Sequence, residues 1–187
     1  MTYPQANADK RSGVSPWGAA VAQATVALNI RPIDLRRDAE TIIGYARDLF
    51  AISFGSHRFS DQFGAEGSGY IPWIADKQKD DPANAALAFL GAHPVGMVVV
   101  GSWADDPAIG YVYHYYLEPH ARGHGLAPAL DSHAASQLLR RGHGKARLSV
   151  AKTNARAIRF YCKRGWRHAG PRPDQPGIIY MEKPLGR

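Results

Sequence analysis

The stretch Tyr115-Tyr116-Leu117-Glu118-Pro119-His120-Ala121-Arg122-Gly123-His124-Gly125-Leu126-Ala127 reads as a buried strand that breaks at a proline and turns directly into a helix. Ile109 to Leu117 is a run of aromatic and β-branched residues suited to a central strand, and Pro119 removes the N–H that another ladder bond would need. Gly123 and Gly125 take away the side chains that would hold a ligand off the backbone. The N–H groups there lie where the following helix leaves its first donors unpaired and its dipole end positive. Such a junction suits an anion, and phosphate is its natural occupant. Arg122-x-x-Gly125-x-Ala127 lacks the Gly-Lys-Ser/Thr end of a P-loop and has one glycine too few for a dinucleotide fingerprint. An exposed strand-to-helix turn with no ligand would carry the same glycines.

A second segment, Asn154-Ala155-Arg156-Ala157-Ile158-Arg159-Phe160-Tyr161-Cys162-Lys163-Arg164-Gly165-Trp166, is a short helix with a good N-cap at Asn154 and a terminating Gly165. Together the two segments resemble the signatures of the GCN5-related N-acetyltransferases. Arg-x-x-Gly-x-Gly/Ala after a proline-ended strand is similar to that family's pyrophosphate-binding motif. Asn-x-x-Ala-x-x-x-Tyr followed by Gly and an aromatic is similar to its second motif, in the same order and at a comparable separation.

Outward from these motifs the chain alternates strands and helices. Leu28 to Leu35 alternates as a half-buried strand, and Asp38 is placed to cap a helix from about Ala39 to Ile52. Ser53 to Gly69 is rich in Gly, Ser, Asp and Phe, and reads as a long functional loop without regular structure. A helix over Ile71 to Lys79 stops before Asp81-Pro82, and Ala85 to Leu90 with Val95 to Trp103 form a hairpin. After the motif strand come a helix from about Gly125 to Arg141 and a strand over Lys145 to Ala151. The Asn154 helix follows, with closing strands at Trp166 to Gly170 and Ile178 to Glu182. This order is similar to the family's acyl-CoA N-acyltransferase fold, a mixed α/β architecture whose mostly antiparallel sheet is splayed near the motif strand and flanked by helices. The expected organisation is a flexible tail over residues 1–27 and a single domain over 28–187.

The resemblance implies an acetyl-CoA-dependent N-acetyltransferase acting on a primary amine of a small molecule or peptide by direct attack in a ternary complex. It places the pyrophosphate on Arg122, Gly123, His124, Gly125, Leu126 and Ala127, with Asn154 also touching the cofactor or serving only as an N-cap. A backbone N–H near Leu117 would polarise the thioester carbonyl. Tyr161 matches the family tyrosine that protonates the departing thiolate, a suitable donor with a phenol pKa near ~10. Many relatives carry a basic carboxylate inside the motif strand, and this strand has none. His114 is the titratable candidate there, beside Tyr113, Tyr115 and Glu118, and strand alternation puts it on the face opposite Tyr113 and Tyr115. A hydrogen-bonded core histidine, and attack through ordered water, stay open. For the acceptor, Phe59, Phe63, Tyr70 and Trp73 are candidate walls, and Asp61 or Glu66 can attract an amine's charge.

Composition agrees. The 187 residues, 45% hydrophobic, suit one domain with a substantial core. The single cysteine, Cys162, excludes an internal disulfide framework and fits a reducing, cytoplasmic compartment, and reads as a small apolar filler rather than a nucleophile. Lys10-Arg11 before an Ala-rich run from Trp17 to Leu28 resembles a signal peptide only weakly, and no stretch is apolar enough for a membrane span. No metal site is expected, because the eight histidines are scattered. Residues 132–187 hold thirteen lysines and arginines against Asp174 and Glu182, within a net charge of +7, which points to a polyanionic partner. Coenzyme A is one such partner. A basic nucleic-acid-binding domain, or an acetyltransferase with an RNA-linked acceptor, is the competing reading, disfavoured by sparse aromatic interleaving. A homodimer is left open.

Overall fold

The computed structural model describes residues 28–186, so the tail assigned to residues 1–27 lies outside the described residues. Seven strands form one sheet in the order β1-β2-β3-β4-β5-β7-β6. They are β1 (Asn29–Pro32), β2 (Ala85–Leu90), β3 (His93–Ser102), β4 (Gly110–Leu117), β5 (Lys145–Ala151), β6 (Arg167–Arg172) and β7 (Gln175–Pro184). All neighbours are antiparallel except β4 and β5, which run parallel. Among the described residues five α-helices cover the sheet: α1 (Ala39–Phe54), α2 (Arg58–Phe63), α3 (Tyr70–Gln78), α4 (Ala127–Arg140) and α5 (Ala155–Lys163).

Both faces of the sheet are buried, which is why β2 and β3 read as continuous apolar runs rather than alternating ones. Val98, Val100, Val112 and Leu148 pack with Leu130, Ala134 and Leu138 of α4 on one face, joined by Tyr161 and Trp166. On the other face Leu87, Met97 and Val99 pack with Ile42, Ala46 and Phe50 of α1, and with Phe59, Phe63, Tyr70 and Ile74.

Three local expectations need correction. Ser53–Gly69 is not a loop throughout: Arg58–Phe63 is helical, because Phe59 and Phe63 sit one turn apart and bury together against Phe50, with ring centroids 5.7 and 5.8 Å away. The Asp38 side chain does not cap α1. Its carboxylate is held instead by Arg31, at 2.7 and 2.9 Å, and by the Asp34 N–H at 2.8 Å. Cys162 is exposed, not an apolar filler.

Candidate active site

The sheet forks beside β4. Strands β4 and β5 pair only from Gly110–Val112 to Ala146–Leu148, so the second half of β4 has no neighbour on that side. The Tyr111 hydroxyl and Ser149 Oγ, 2.7 Å apart, bridge the strands at this fork. The Glu118 N–H donates to the Val95 carbonyl at 2.9 Å, and Leu117 and Tyr115 stand opposite Gly96 and Val98. Alternation along an antiparallel ladder then turns the N–H groups of Leu117 and Tyr115 away from β3, into the fork. The β4 edge thus offers backbone donors to a ligand, as the Leu117 assignment requires.

Past the fork the chain makes the glycine turn. Gly123 and Gly125 have φ of 91° and 75°, the left-handed region in which other residues are strained. Both line the cleft together with Arg122, Leu126 and Ala127. The first turn of α4 carries no side-chain cap; Pro128 has no N–H and the Ala129 N–H bonds the Leu126 carbonyl at 3.1 Å, which leaves the Ala127 N–H at the helix start for an anion. Pro128, tolerated where the N–H is surplus, lies in that first turn. Arg122 Nε donates to the Leu117 carbonyl at 2.8 Å, tying the turn to the strand end. His124, assigned to the same turn, is exposed and outside the cleft lining. Arg156, which the motifs alone did not single out, closes the cradle: its Nη2 lies 3.4 Å from where a Gly123 side chain would begin. Asn154 accepts the Ala157 N–H at 3.0 Å as N-cap and also lines the cleft.

The cleft encloses about 1040 Å³ and passes through the fork from one helical layer to the other. On the α4–α5 side Tyr161 lines it. Helix α5 ends on Gly165, φ 85°, whose N–H bonds the Cys162 carbonyl while the Trp166 N–H reaches the Tyr161 carbonyl at 3.0 Å. This left-handed stop drives Trp166 into the core and fixes the Tyr161 backbone. The Tyr161 ring lies 5.9 Å from that of Tyr115, and burial followed by the charge of Asp131 pushes its phenol up, so it stays protonated. Asp131, fully buried on α4, gathers Arg164 at 3.0 Å, Lys183 at 2.9 Å, Trp166 Nε1 at 2.8 Å and the Tyr115 hydroxyl at 3.4 Å.

On the α1–α3 side stands His114. Its Nδ1 is 3.0 Å from the Tyr70 hydroxyl and its ring packs among Phe50, Tyr70 and Trp73. Burial lowers its pKa to about 3, so the imidazole is neutral. Neither His114 Nε2 nor the Tyr161 hydroxyl has a hydrogen-bond partner among the described residues, and neither is sealed from the cleft. Strict alternation fails on one count: β4 is bulged at Tyr113, since Val99 faces His114 while Val100 faces Val112. Tyr113 and His114 therefore share a face, both touching Trp73 at 5.5 and 5.2 Å. The acceptor walls also change. Trp73 and Phe63 line the cleft, but Phe59 and Tyr70 do not: they are buried behind it, with the Tyr70 hydroxyl against His114. Asp61 and Glu66 are exposed and outside the lining, whereas Phe50, Phe54 and Tyr113 contribute to it.

Residues 46–166 match the model of the Acetyltransferase (GNAT) family. The chain belongs to the GNAT acetyltransferases. This GNAT enzyme is 29% identical over 112 residues to an uncharacterized N-acetyltransferase of Archaeoglobus fulgidus, covering 58% of its own length and 71% of that protein's. Its fold is similar to PaiA N-acetyltransferase from Thermoplasma acidophilum in complex with coenzyme A, at TM-score 0.69 and 18% identity over 84% of this chain and 99% of that one. It is likewise similar to YncA, a putative acetyltransferase of Salmonella typhimurium with its cofactor acetyl-CoA, at TM-score 0.68 and 18% identity over 86% and 95%. Membership makes it an acetyl-CoA-dependent acyltransferase with the mixed, mostly antiparallel GNAT fold, and the glycine turn, uncapped helix end and open β4 edge fit that cosubstrate. Among the described residues no helix is long and apolar enough to cross a membrane, and no group of three His, Cys, Asp or Glu is placed to hold a metal ion.

Proposed function

We propose that the enzyme transfers the acetyl group of acetyl-CoA to a primary amine of a small molecule or peptide, by direct attack within a ternary complex. The observation that carries this is the pair of unpartnered polar atoms, Tyr161 Oη and His114 Nε2, lining one cleft from the two sides of the open β4 edge. Acetyl-CoA supplies an acetyl carbon bound to sulfur. Arg122 to Ala127, with Arg156, hold its diphosphate, and the Tyr115 and Leu117 N–H groups pair with the arm and take up charge on the carbonyl oxygen. His114, neutral, aligns an amine that has already shed its proton, because an imidazole held near 3 does not retain one. The C–N bond forms as the C–S bond breaks, Tyr161 protonates the leaving sulfur, and the proton lost by nitrogen returns to Tyr161 through water, leaving no net proton change.

Tyr161→Phe tests the acid. We expect kcat to fall about a hundredfold or more with acetyl-CoA affinity unchanged; equal turnover removes the assignment. An RNA-linked acceptor is less well supported. Part of the basic half is paired internally, as Arg147 and Lys145 on Glu182, Arg164 and Lys183 on Asp131, and Arg172 on Asp174. Salt-sensitive RNA binding that acetyl-CoA does not displace would revive it.

A further inference from the structure

The arm of the cleft on the α1–α3 side has the character of a hydrophobic chamber, and we infer that the acceptor is a primary monoamine carried on an apolar body, either a free amine or the amino end of a peptide with an apolar first residue. The inference rests on the acetyl-transfer reading above and gives its acceptor a chemical class. Phe50, Phe54, Phe63, Trp73 and Tyr113 wall the arm. These rings brace one another edge to face: Phe50 to Phe54 at 5.5 Å, Phe63 to Trp73 at 5.7 Å, Trp73 to Tyr113 at 5.5 Å. A chamber braced in this way is pre-formed, so an apolar guest gains burial without having to order its walls. Ile52, 51% exposed, lines the same cleft and extends its apolar surface outward.

The charges point the same way. Among the described residues, two carboxylates line the cleft, Asp105 and Asp174. Asp174 is already held by Arg172 at 2.8 and 3.0 Å, and Arg58, another lining residue, acts on the same carboxyl. Asp105 is exposed. Within the chamber His114 is neutral. A second ammonium group would thus enter an arm walled by aromatic rings, with Asp105 outside those walls as the unpaired acid of the lining, and would meet Arg58 and Arg172 on its way. Polyamines and aminoglycoside-like polycations fit poorly, whereas one amine delivered neutral on a hydrocarbon frame fits well.

The test uses the full chain with acetyl-CoA and follows thiol release with propylamine, butylamine, hexylamine and phenethylamine, with putrescine and spermidine, and with peptides beginning in Ala or Leu. Calorimetry measures phenethylamine binding to the CoA-loaded protein separately. We expect kcat/KM to rise about fourfold per added methylene until the arm is full, diamines of matched length to be at least tenfold poorer, and Trp73→Ala to flatten the series. Leu-initiated peptides exceeding the alkylamines would mark the peptide source, and the reverse would mark the free amine. A flat series, or a polyamine equal to or better than hexylamine, overturns the inference, as does failure of phenethylamine to bind. Phenethylamine binding with no turnover of any amine would instead overturn the acetyl-transfer reading and leave the acceptor class standing.

Discussion

Tyr161 presents its hydroxyl to the cleft because the residues around it leave no alternative partner: the ring is wedged between Tyr115 and Trp166, and the backbone is pinned by the Trp166 N–H. The anchor behind this arrangement is Asp131. Two cations, an indole N–H and a phenol converge on one carboxylate with no exposure, so removing it strands Lys183 and Arg164 in a partly buried site. Asp131→Ala should cost about 3 kcal/mol or more of stability, read as a lower urea midpoint, because a broken buried pair leaves its partners uncompensated. A midpoint shift equivalent to less than ~1 kcal/mol would show the cluster to be solvated in solution. Asp131 was invisible in the sequence. It is one acid in a helix, and its partners come from three other segments far along the chain.

At the level of elements, the long strands were legible because burial on two faces writes itself as uninterrupted Val, Ala and Met. Lys145–Ala151 and Ala85–Leu90 have the expected bounds. Helix α2 was not legible, since six residues give too little periodicity to outweigh the flanking Gly and Ser, and it forms only where Phe59 and Phe63 find Phe50. The bulge at Tyr113 was not legible either, because a register defect depends on the partner strand. Nothing in the run Gly110 to Leu117 marks which residue lacks an opposite. The glycine turn and the Asn154 helix were read correctly because their residues are dictated locally, by φ and by a cap. Gly165 shows the force of such local rules. At φ 85° an alanine is strained, and Gly165→Ala should lower stability by about 1 kcal/mol. It should also lower kcat, since the same turn fixes Tyr161. A thermal midpoint and kcat both unchanged would contradict this.

Across the described residues, the sheet separates two layers whose residues line one cleft at the fork, one bearing the glycine cradle and the phenol, the other the aromatic arm and His114. Holding His114 neutral has a cost in acid. Unfolded, it takes up a proton near 6.5; folded, it resists until about 3, so the unfolded chain binds more protons between these values. Stability from this site is complete above about 6.5 and is lost as pH falls through the window, at up to ~1.4 kcal/mol per unit. His114→Phe should flatten urea midpoints measured from pH 7 to pH 5, and an unchanged slope would place the titrating group elsewhere. The central claim is that Arg122 to Ala127 grip the diphosphate of acetyl-CoA. A calorimetric titration of acetyl-CoA into the wild-type protein and into Gly125→Asp tests it directly. A Cβ at Gly125 meets no protein atom within 4 Å, but φ 75° strains any side chain there, so Gly125→Ala is titrated alongside to separate the strain of the turn from the charge of the aspartate. The expected result is binding by the wild type and a loss of about tenfold to a hundredfold in Gly125→Asp beyond any in Gly125→Ala, the effect of one uncompensated like charge; equal affinities of the two variants, or no binding by the wild type, would contradict it.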